Sequence, residues 1–352
     1  MTEINRDEDQ QAPADLTEDL QAAFTKGRAL DLASFGITDE GLVESQEPVI
    51  EFDDNAYFGH VTIIGRPNVG KSTLLNHILG EKISITSRKP QTTRHQVLGI
   101  FSENEGQMVF VDTPGIHKKA NKALNKYMNR AATQGMKDVD VLVWMVSAGQ
   151  LTEEDEYIGE LVAKVKAESD TPLVILVNKI DKNGSHEVLL PYLSNLQAKY
   201  NPDHLIPVSA LQSRNLDTLL NVLRSMLPKG KPFFDKEQLT DRTLRFLAAE
   251  RIREKLTRQL GDELPHELTV EIEAFKEDDD LAHIHGLILV ERSSQKSIVI
   301  GKRGARLKRV GSDARVELER LLGKKVMLEL WVRVKSGWSD DERALQSLGY
   351  VD

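Results

Sequence analysis

Cysteine is absent from all 352 residues, so neither a disulfide framework nor a thiolate metal site can form. No apolar run approaches the roughly 20 residues needed to cross a bilayer. The opening MTEINRDEDQQ is acidic and has none of the apolar stretch of a secretory signal. A cytoplasmic location is therefore the expectation. Basic residues are scarce at the start of the chain: residues 1–54 hold 15 Asp/Glu against 3 Lys/Arg, although the net charge of the whole is only −9. The rest is neutral to slightly basic, and Arg292 to Lys335 carries 13 Lys/Arg against 4 Asp/Glu. Acid at one end and base at the other suggests a polyanionic partner.

A chain of this length predicts two or three domains. Residues 1–56 are weakly patterned and poor in large apolar side chains, as a solvated tail is, with at most a short helix over Asp15–Leu32. From Tyr57 apolar runs of strand length (60–65, 97–101, 107–111, 141–146, 172–178 and 205–209) alternate with helical patterns at 71–79, 121–135, 153–168, 186–199 and 216–226. Near-continuous apolar strands between helices predict a mostly parallel sheet covered on both faces. The two strands joined by the short ENEG turn must be antiparallel. PKGKPFFDKEQLT (228–240) reads as a linker. Beyond it the pattern is helix 241–260, strands 266–275 and 283–291, two helices flanking Gly301 and Gly304, and strand 325–334. That order describes a small α+β domain.

Gly65-Arg66-Pro67-Asn68-Val69-Gly70-Lys71-Ser72 matches the phosphate-loop pattern between a strand and a helix, with Thr73 next to it. Glycines let backbone N–H groups curl around a phosphate, and the helix amino terminus adds partial positive charge. Lys71 is expected to bridge the β- and γ-phosphates and Ser72 to ligate Mg²⁺. Asp112-Thr113-Pro114-Gly115 follows a strand end, which puts Asp112 near the metal and the Gly115 amide near the γ-phosphate. Asn178-Lys179-Ile180-Asp181 follows another; there Asp181 can accept from guanine N1–H and the 2-amino group, which adenine cannot match. Ser209 and Ala210 are placed to turn a backbone amide towards the guanine oxygen. Ligands of such sheets bind beyond the carboxyl ends of the strands, so the order of these segments points to a guanine nucleotide. Between the loop and Asp112, residues 87–96 are polar and lack helical period, as a mobile switch segment does; Thr93, or failing that Thr92, is the threonine that would join Mg²⁺ when the γ-phosphate is present.

A second turn, Gly301-Lys302-Arg303-Gly304, lies between two helices rather than after a strand. A helix–GxxG–helix beside three strands is the KH module, here in the type II order, and its glycines let a nucleic-acid backbone approach. Lys302, Arg303, Arg306, Lys308 and Arg309 supply positive charge for phosphates. Ile298, Val299 and Ile300 are expected to line an apolar groove for unstacked bases. Trp338, in GWSDDERAL (337–345), is expected to be half exposed, packed with the carboxyl terminus against the KH sheet.

GRPNVGKSTLLN, TSRKPQTTRH, DTPGIH, NKID and KSGWSDDERALQSLGY together resemble the Era family of bacterial GTPases, from about Tyr57 to Asp352. The resemblance implies a P-loop GTPase domain (57–228), a linker (229–240) and a type II KH domain (241–352) after an acidic tail (1–56). It implies slow GTP hydrolysis, because Ile116 stands where Ras-type proteins carry the glutamine that orients water. His117 is either a substitute base or an ordinary surface histidine. It also implies that Asn68 helps to hold a K⁺ ion, so that Lys71, Thr93, Gly115 and Asn68 form the catalytic set. The implied partners are the 3′ end of 16S ribosomal RNA and the 30S subunit during its assembly, with the protein a monomer. Two alternatives stand beside this reading: a GTPase whose basic domain meets anionic lipid at the inner membrane, or another protein, and an ATPase if Asp181 does not face the base.

Overall fold

The computed structural model describes residues 37–38, 41–42 and 55–350, apart from 88, 90–91, 117, 119–121, 184, 262–266 and 349. Most of the acidic segment 1–56, the helix expected over Asp15–Leu32 and His117 lie outside the described residues. Two short strands, β1 (Ile37–Thr38) and β2 (Gly41–Leu42), pair antiparallel.

The main sheet has six strands: β3 (Tyr57–Ile64), β4 (Val97–Glu103), β5 (Gly106–Asp112), β6 (Val141–Ser147), β7 (Leu173–Asn178) and β8 (His204–Pro207). Their order is β4-β5-β3-β6-β7-β8, and only the β4–β5 pair is antiparallel. VLVWMV and LVILVN are buried along their whole length because helices cover both faces of this sheet. On one face Leu74 and Leu75 of α1 (Lys71–Leu79) and Leu219 and Leu223 of α6 (Leu216–Met226) pack on Val61, Ile63, Val143 and Val174. On the other, α2 (Ala123–Gln134), α3 (Glu153–Glu168) and α5 (His186–Tyr200) cover Ile64, Leu142, Trp144 and Ile175. A one-turn helix, α4 (Ile180–Asn183), follows β7. Helix α3 begins where it does because Thr152 and Asp155 satisfy each other's backbone N–H groups, a capping box worth about 1 kcal/mol.

The segment 228–240 is pinned to this sheet. Phe58 N–H donates to the Pro228 carbonyl (3.1 Å), Gly230 N–H to Ala56 (2.8 Å) and Ile100 N–H to Leu239 (2.9 Å). The buried Gln107 amide also grips the Phe234 backbone in both directions, at 3.0 and 2.9 Å.

The second fold is α7 (Leu244–Gln259), β9 (Leu268–Glu277), β10 (Leu281–Val290), α8 (Ser293–Ile300), a 3₁₀ turn (Lys302–Gly304), α9 (Ala305–Leu322) and β11 (Lys325–Val334). β10 is central, antiparallel to β9 and parallel to β11, as in the expected type II arrangement. Val310, Ala314 and Leu318, at four-residue spacing on α9, meet Ala248, Ile252 and Leu256 of α7 over Ile284 and Ile288. Helix α9 stops at Gly323, whose φ of 68° suits a left-handed cap.

A short final helix, α10 (Glu342–Ser347), is capped by the Asp341 carboxylate. Here an expectation fails: Trp338 is fully buried, not half exposed. It packs with Leu345 and Tyr350 on Leu124, Tyr127 and Met128 of α2, which belongs to the first fold rather than to the KH sheet.

Candidate functional site

The loop from Gly65 to Ser72 joins β3 to α1 at the carboxyl end of the sheet. Gly70 has φ 121°, and a Cβ there would stand 2.3 Å from Asn178 Nδ2, so only glycine lets the loop close. Val69 is fully buried and anchors the loop in the core. Lys71 lies buried beneath it, donating to the carbonyls of Gly65 (2.9 Å) and Arg66 (3.2 Å). Burial lowers its pKa to about 8, with the Arg66 charge helping and Asp112 opposing. Arg66 is drawn aside to Asp155 (3.0 Å) and Ser147 (3.2 Å). Pro67, Asn68, Gly70, Lys71, Ser72 and Thr73 form one wall of a cavity, and Gly115 faces them across Pro67.

Three oxygen-bearing side chains converge beside this loop. Ser72 Oγ donates to Asp112 Oδ2 (2.8 Å) and lies 2.8 Å from Thr93 Oγ1. Asp112 is fully buried, its Oδ1 has no hydrogen-bond partner among the described residues, and burial raises its pKa while Lys71 opposes the rise. A buried, incompletely partnered carboxylate beside two hydroxyls is a hard-oxygen donor set and fits Mg²⁺. The two candidate threonines part company: Thr92 is engaged inside its own loop with Ser87 Oγ (2.7 Å) and the Lys89 carbonyl (2.7 Å), while Thr93 turns to Ser72. Ile85, Thr86 and Ser87 complete the cavity wall. None of these three stands out in the sequence, although Ser87 opens the polar switch stretch.

Thr113 and Pro114 do not present side chains to this cavity. Both are buried, and the Thr113 hydroxyl donates to the Ile63 carbonyl (2.8 Å). Ile116 is buried in the core with Ala132, Met136 and Leu142.

At the far end of the loop Asn178 acts as a staple. Its Nδ2 donates to the Val69 carbonyl (2.8 Å) and its Oδ1 accepts from Ala210 N–H (2.9 Å). Lys179, at φ 66°, donates to the Asn68 carbonyl (2.7 Å). Ser209 Oγ donates to Asp181 Oδ1 (2.7 Å), which fixes that carboxylate. Five separate segments (65–73, 85–93, 112–115, 178–181 and 209–210) thus meet around this loop.

The switch stretch is held from behind by α7. Glu254, fully buried, accepts from Thr86 N–H (2.9 Å) and Lys82 Nζ (2.5 Å). Arg258 reaches the Thr86 carbonyl (3.0 Å), and Arg253 the Thr92 carbonyl. Residue types alone do not reveal these contacts, because each joins positions more than 150 apart in sequence.

In the KH fold Gly301 (φ 74°), Arg303 (φ 52°) and Gly304 (φ 77°) shape a tight turn from which Lys302 and Arg303 project into solvent, with Lys308 and Arg309 exposed beyond. Arg306 folds back to the Ile298 carbonyl. Val299 does not line a groove: it is fully buried in the KH core, whereas Ile298 is 45% exposed and Ile300 is half-buried. The groove beside the turn is walled instead by Leu307, Lys308, Gly311 and Arg315 of α9 and by Leu328 and Leu330 of the edge strand β11. Spacing by four along α9 was the available signal for the first wall.

The 50S ribosome-binding GTPase family matches residues 60–179, and the KH domain family matches residues 263–339. The chain is 57% identical over 294 residues to GTPase Era of Ectopseudomonas mendocina, which spans 84% of this chain and 97% of that one. GTPase Era of Azotobacter vinelandii is 54% identical over the same shares. Among solved structures, Era in complex with MgGDPNP and nucleotides 1506–1542 of 16S ribosomal RNA aligns with a TM-score of 0.80 at 39% identity, over 84% of this chain and 100% of that one. An Aquifex aeolicus Era variant bound to GDP·AlF4⁻ aligns equally well, at the same identity and coverage.

Proposed function

The chain belongs to the Era family of GTPases, and from that premise we propose that it is a GTP-timed clamp on the 3′ end of 16S ribosomal RNA during 30S assembly. The observation that carries this reading is the contact of the switch stretch bearing Thr93 with α7, because it connects a nucleotide cleft to an RNA-binding fold within one chain. The solved relative holding both MgGDPNP and a 16S fragment supports it.

In this reading the amides of 65–72 and Lys71 cradle the phosphates, Gly115 N–H meets the γ-phosphate, and Asp181 selects guanine with Ser209 and Ala210 behind it. Ser72, Asp112 and Thr93 hold Mg²⁺, which supplies positive charge to the phosphates. Asn68 helps to hold K⁺, which supplies charge where other GTPases use an arginine. With Ile116 buried and apolar, no side chain at that position orients water, and intrinsic turnover is slow. Residues 57–228 form the GTPase domain, 229–240 the connection and 241–352 the RNA-binding domain. Lys302 and Arg303 meet RNA phosphates, and Ile298 and Ile300 meet bases. The protein acts as a monomer in the cytoplasm, with the same basic patch available for peripheral attachment to the inner membrane.

The test compares the wild type with a Lys302→Asp, Arg303→Asp variant. GTP but not ATP should be hydrolysed by both, faster in K⁺ than in Na⁺, while only the wild type retains single-stranded RNA. Equal RNA retention by the variant would overturn the assignment of the second loop.

A further inference from the structure

Thr93 turns its hydroxyl towards Ser72, while the residues on either side of it are held by the other fold. Arg94 follows immediately and is fully buried. Its Nη1 donates to the Leu268 carbonyl at the start of β9 (2.8 Å) and to the Tyr350 hydroxyl (3.3 Å). That hydroxyl also lies 3.2 Å from Thr269 Oγ1. The next residue, His95, stacks on the Tyr350 ring, centroids 4.4 Å apart and planes 23° apart, with Tyr127 and Phe246 edge-on. On the near side Arg253 takes the Thr92 carbonyl and is itself fixed by Glu250 through two bonds of 2.6 Å. Arginine side chains thus cross between the folds on both sides of one threonine.

A guanidinium is taken wholly out of water only at a large cost, which its partners must offset. The Leu268 carbonyl and the Tyr350 hydroxyl, which meet Arg94, belong to the KH fold and the carboxyl-terminal segment rather than to the nucleotide cleft. Displacing a reacting or ligating group by about 1 Å can cost on the order of 10²-fold in rate. Fixing the backbone at 92 and 94 therefore fixes how far the Thr93 hydroxyl stands from Ser72 and Asp112.

We infer that Arg94 and Tyr350 are positioning residues for Thr93: the carboxyl-terminal tyrosine, through the buried arginine, sets the threonine where it discriminates GTP from GDP. The inference rests on the reading of Thr93 as a ligand of Mg²⁺ in the GTP-bound state. Tyr350 touches no substrate; it acts only through Arg94 and the stacked His95.

The experiment is a cycle of Thr93→Ala, Tyr350→Phe and the double variant, in the full chain. The reading is the ratio of affinities for a non-hydrolysable GTP analogue and for GDP at saturating Mg²⁺, with the thermal unfolding midpoint as a control for folding. Tyr350→Phe keeps the ring stack and removes only the hydroxyl. It should lower the ratio by about 3- to 10-fold, the effect of one ordinary hydrogen bond, leave GDP affinity unchanged, and add nothing when Thr93 is already alanine. Arg94→Lys, which keeps the charge but loses the fork, should act in the same direction and be equally silent in that background. An unchanged ratio in Tyr350→Phe, or an equal loss with and without Thr93, would overturn the inference. A Thr93→Ala protein that discriminates like the wild type would instead remove the reading of Thr93 itself.

Discussion

At the scale of single residues the cleft depends on groups held by others. Asp181 is fixed by the Ser209 hydroxyl, so its carboxylate is preset for a donor pair such as guanine N1–H and the 2-amino group. Asp181→Asn should lower GTP affinity on the order of 10²-fold or more, and xanthosine triphosphate, which carries a carbonyl in place of the amino group, should bind the variant better than GTP does. Competition between the two triphosphates checks this. The same scale shows why Val299 departs from the expected groove. Three consecutive residues of a helix point about 100° apart and cannot share one face, so Val299 had to turn inward once Ile298 turned out. Thr113, the residue just after β5, turns away from its neighbour Asp112, and its hydroxyl meets the Ile63 carbonyl.

At the scale of elements, the strands were legible because VLVWMV and LVILVN have no polar face to offer, and such runs belong between two helical layers. The type II order of the second fold followed from the sequence of elements, and the glycine loops from their spacing. The carboxyl-terminal helix was not legible. Six residues give no period to detect, and its burial comes from Trp338 and Tyr350 reaching α2 some 200 positions earlier. The clamp of α7 on the switch stretch escaped for the same reason, since charged residues on a helix read as a solvated face until a partner is known. Trp338→Ala should remove about 3–5 kcal/mol of local packing. Amide exchange should then quicken across 336–350 and at α2, while the β-sheet of the first fold keeps its protection.

At the scale of the whole molecule, the two folds meet through an ion network as well as through Trp338. Glu317 of α9 accepts from Lys82 (2.6 Å) and from Lys255, and Lys82 also binds Glu254. Burial by itself would raise the Glu317 carboxyl. The hydrogen bonds from Lys255 and Lys82, with both their charges, hold it down at about 2 against an ordinary 4.5. A depressed carboxyl stabilises the fold above its unfolded pKa and loses that contribution as pH falls towards the folded value. Denaturation between pH 4.5 and 2 should therefore show the wild type losing about 2 kcal/mol, allowing for solvent screening, that Glu317→Gln does not lose. In the proposed reading, the same interface is the route by which the state of the cleft reaches the groove of α9 and β11. The most direct test of that coupling is the affinity for labelled single-stranded RNA of the 16S 3′ end, measured first with a non-hydrolysable GTP analogue and then with GDP at one salt concentration. The account predicts tight, sequence-selective binding with the analogue and at least tenfold weaker binding with GDP; affinities equal in the two states, or blind to sequence, would contradict it.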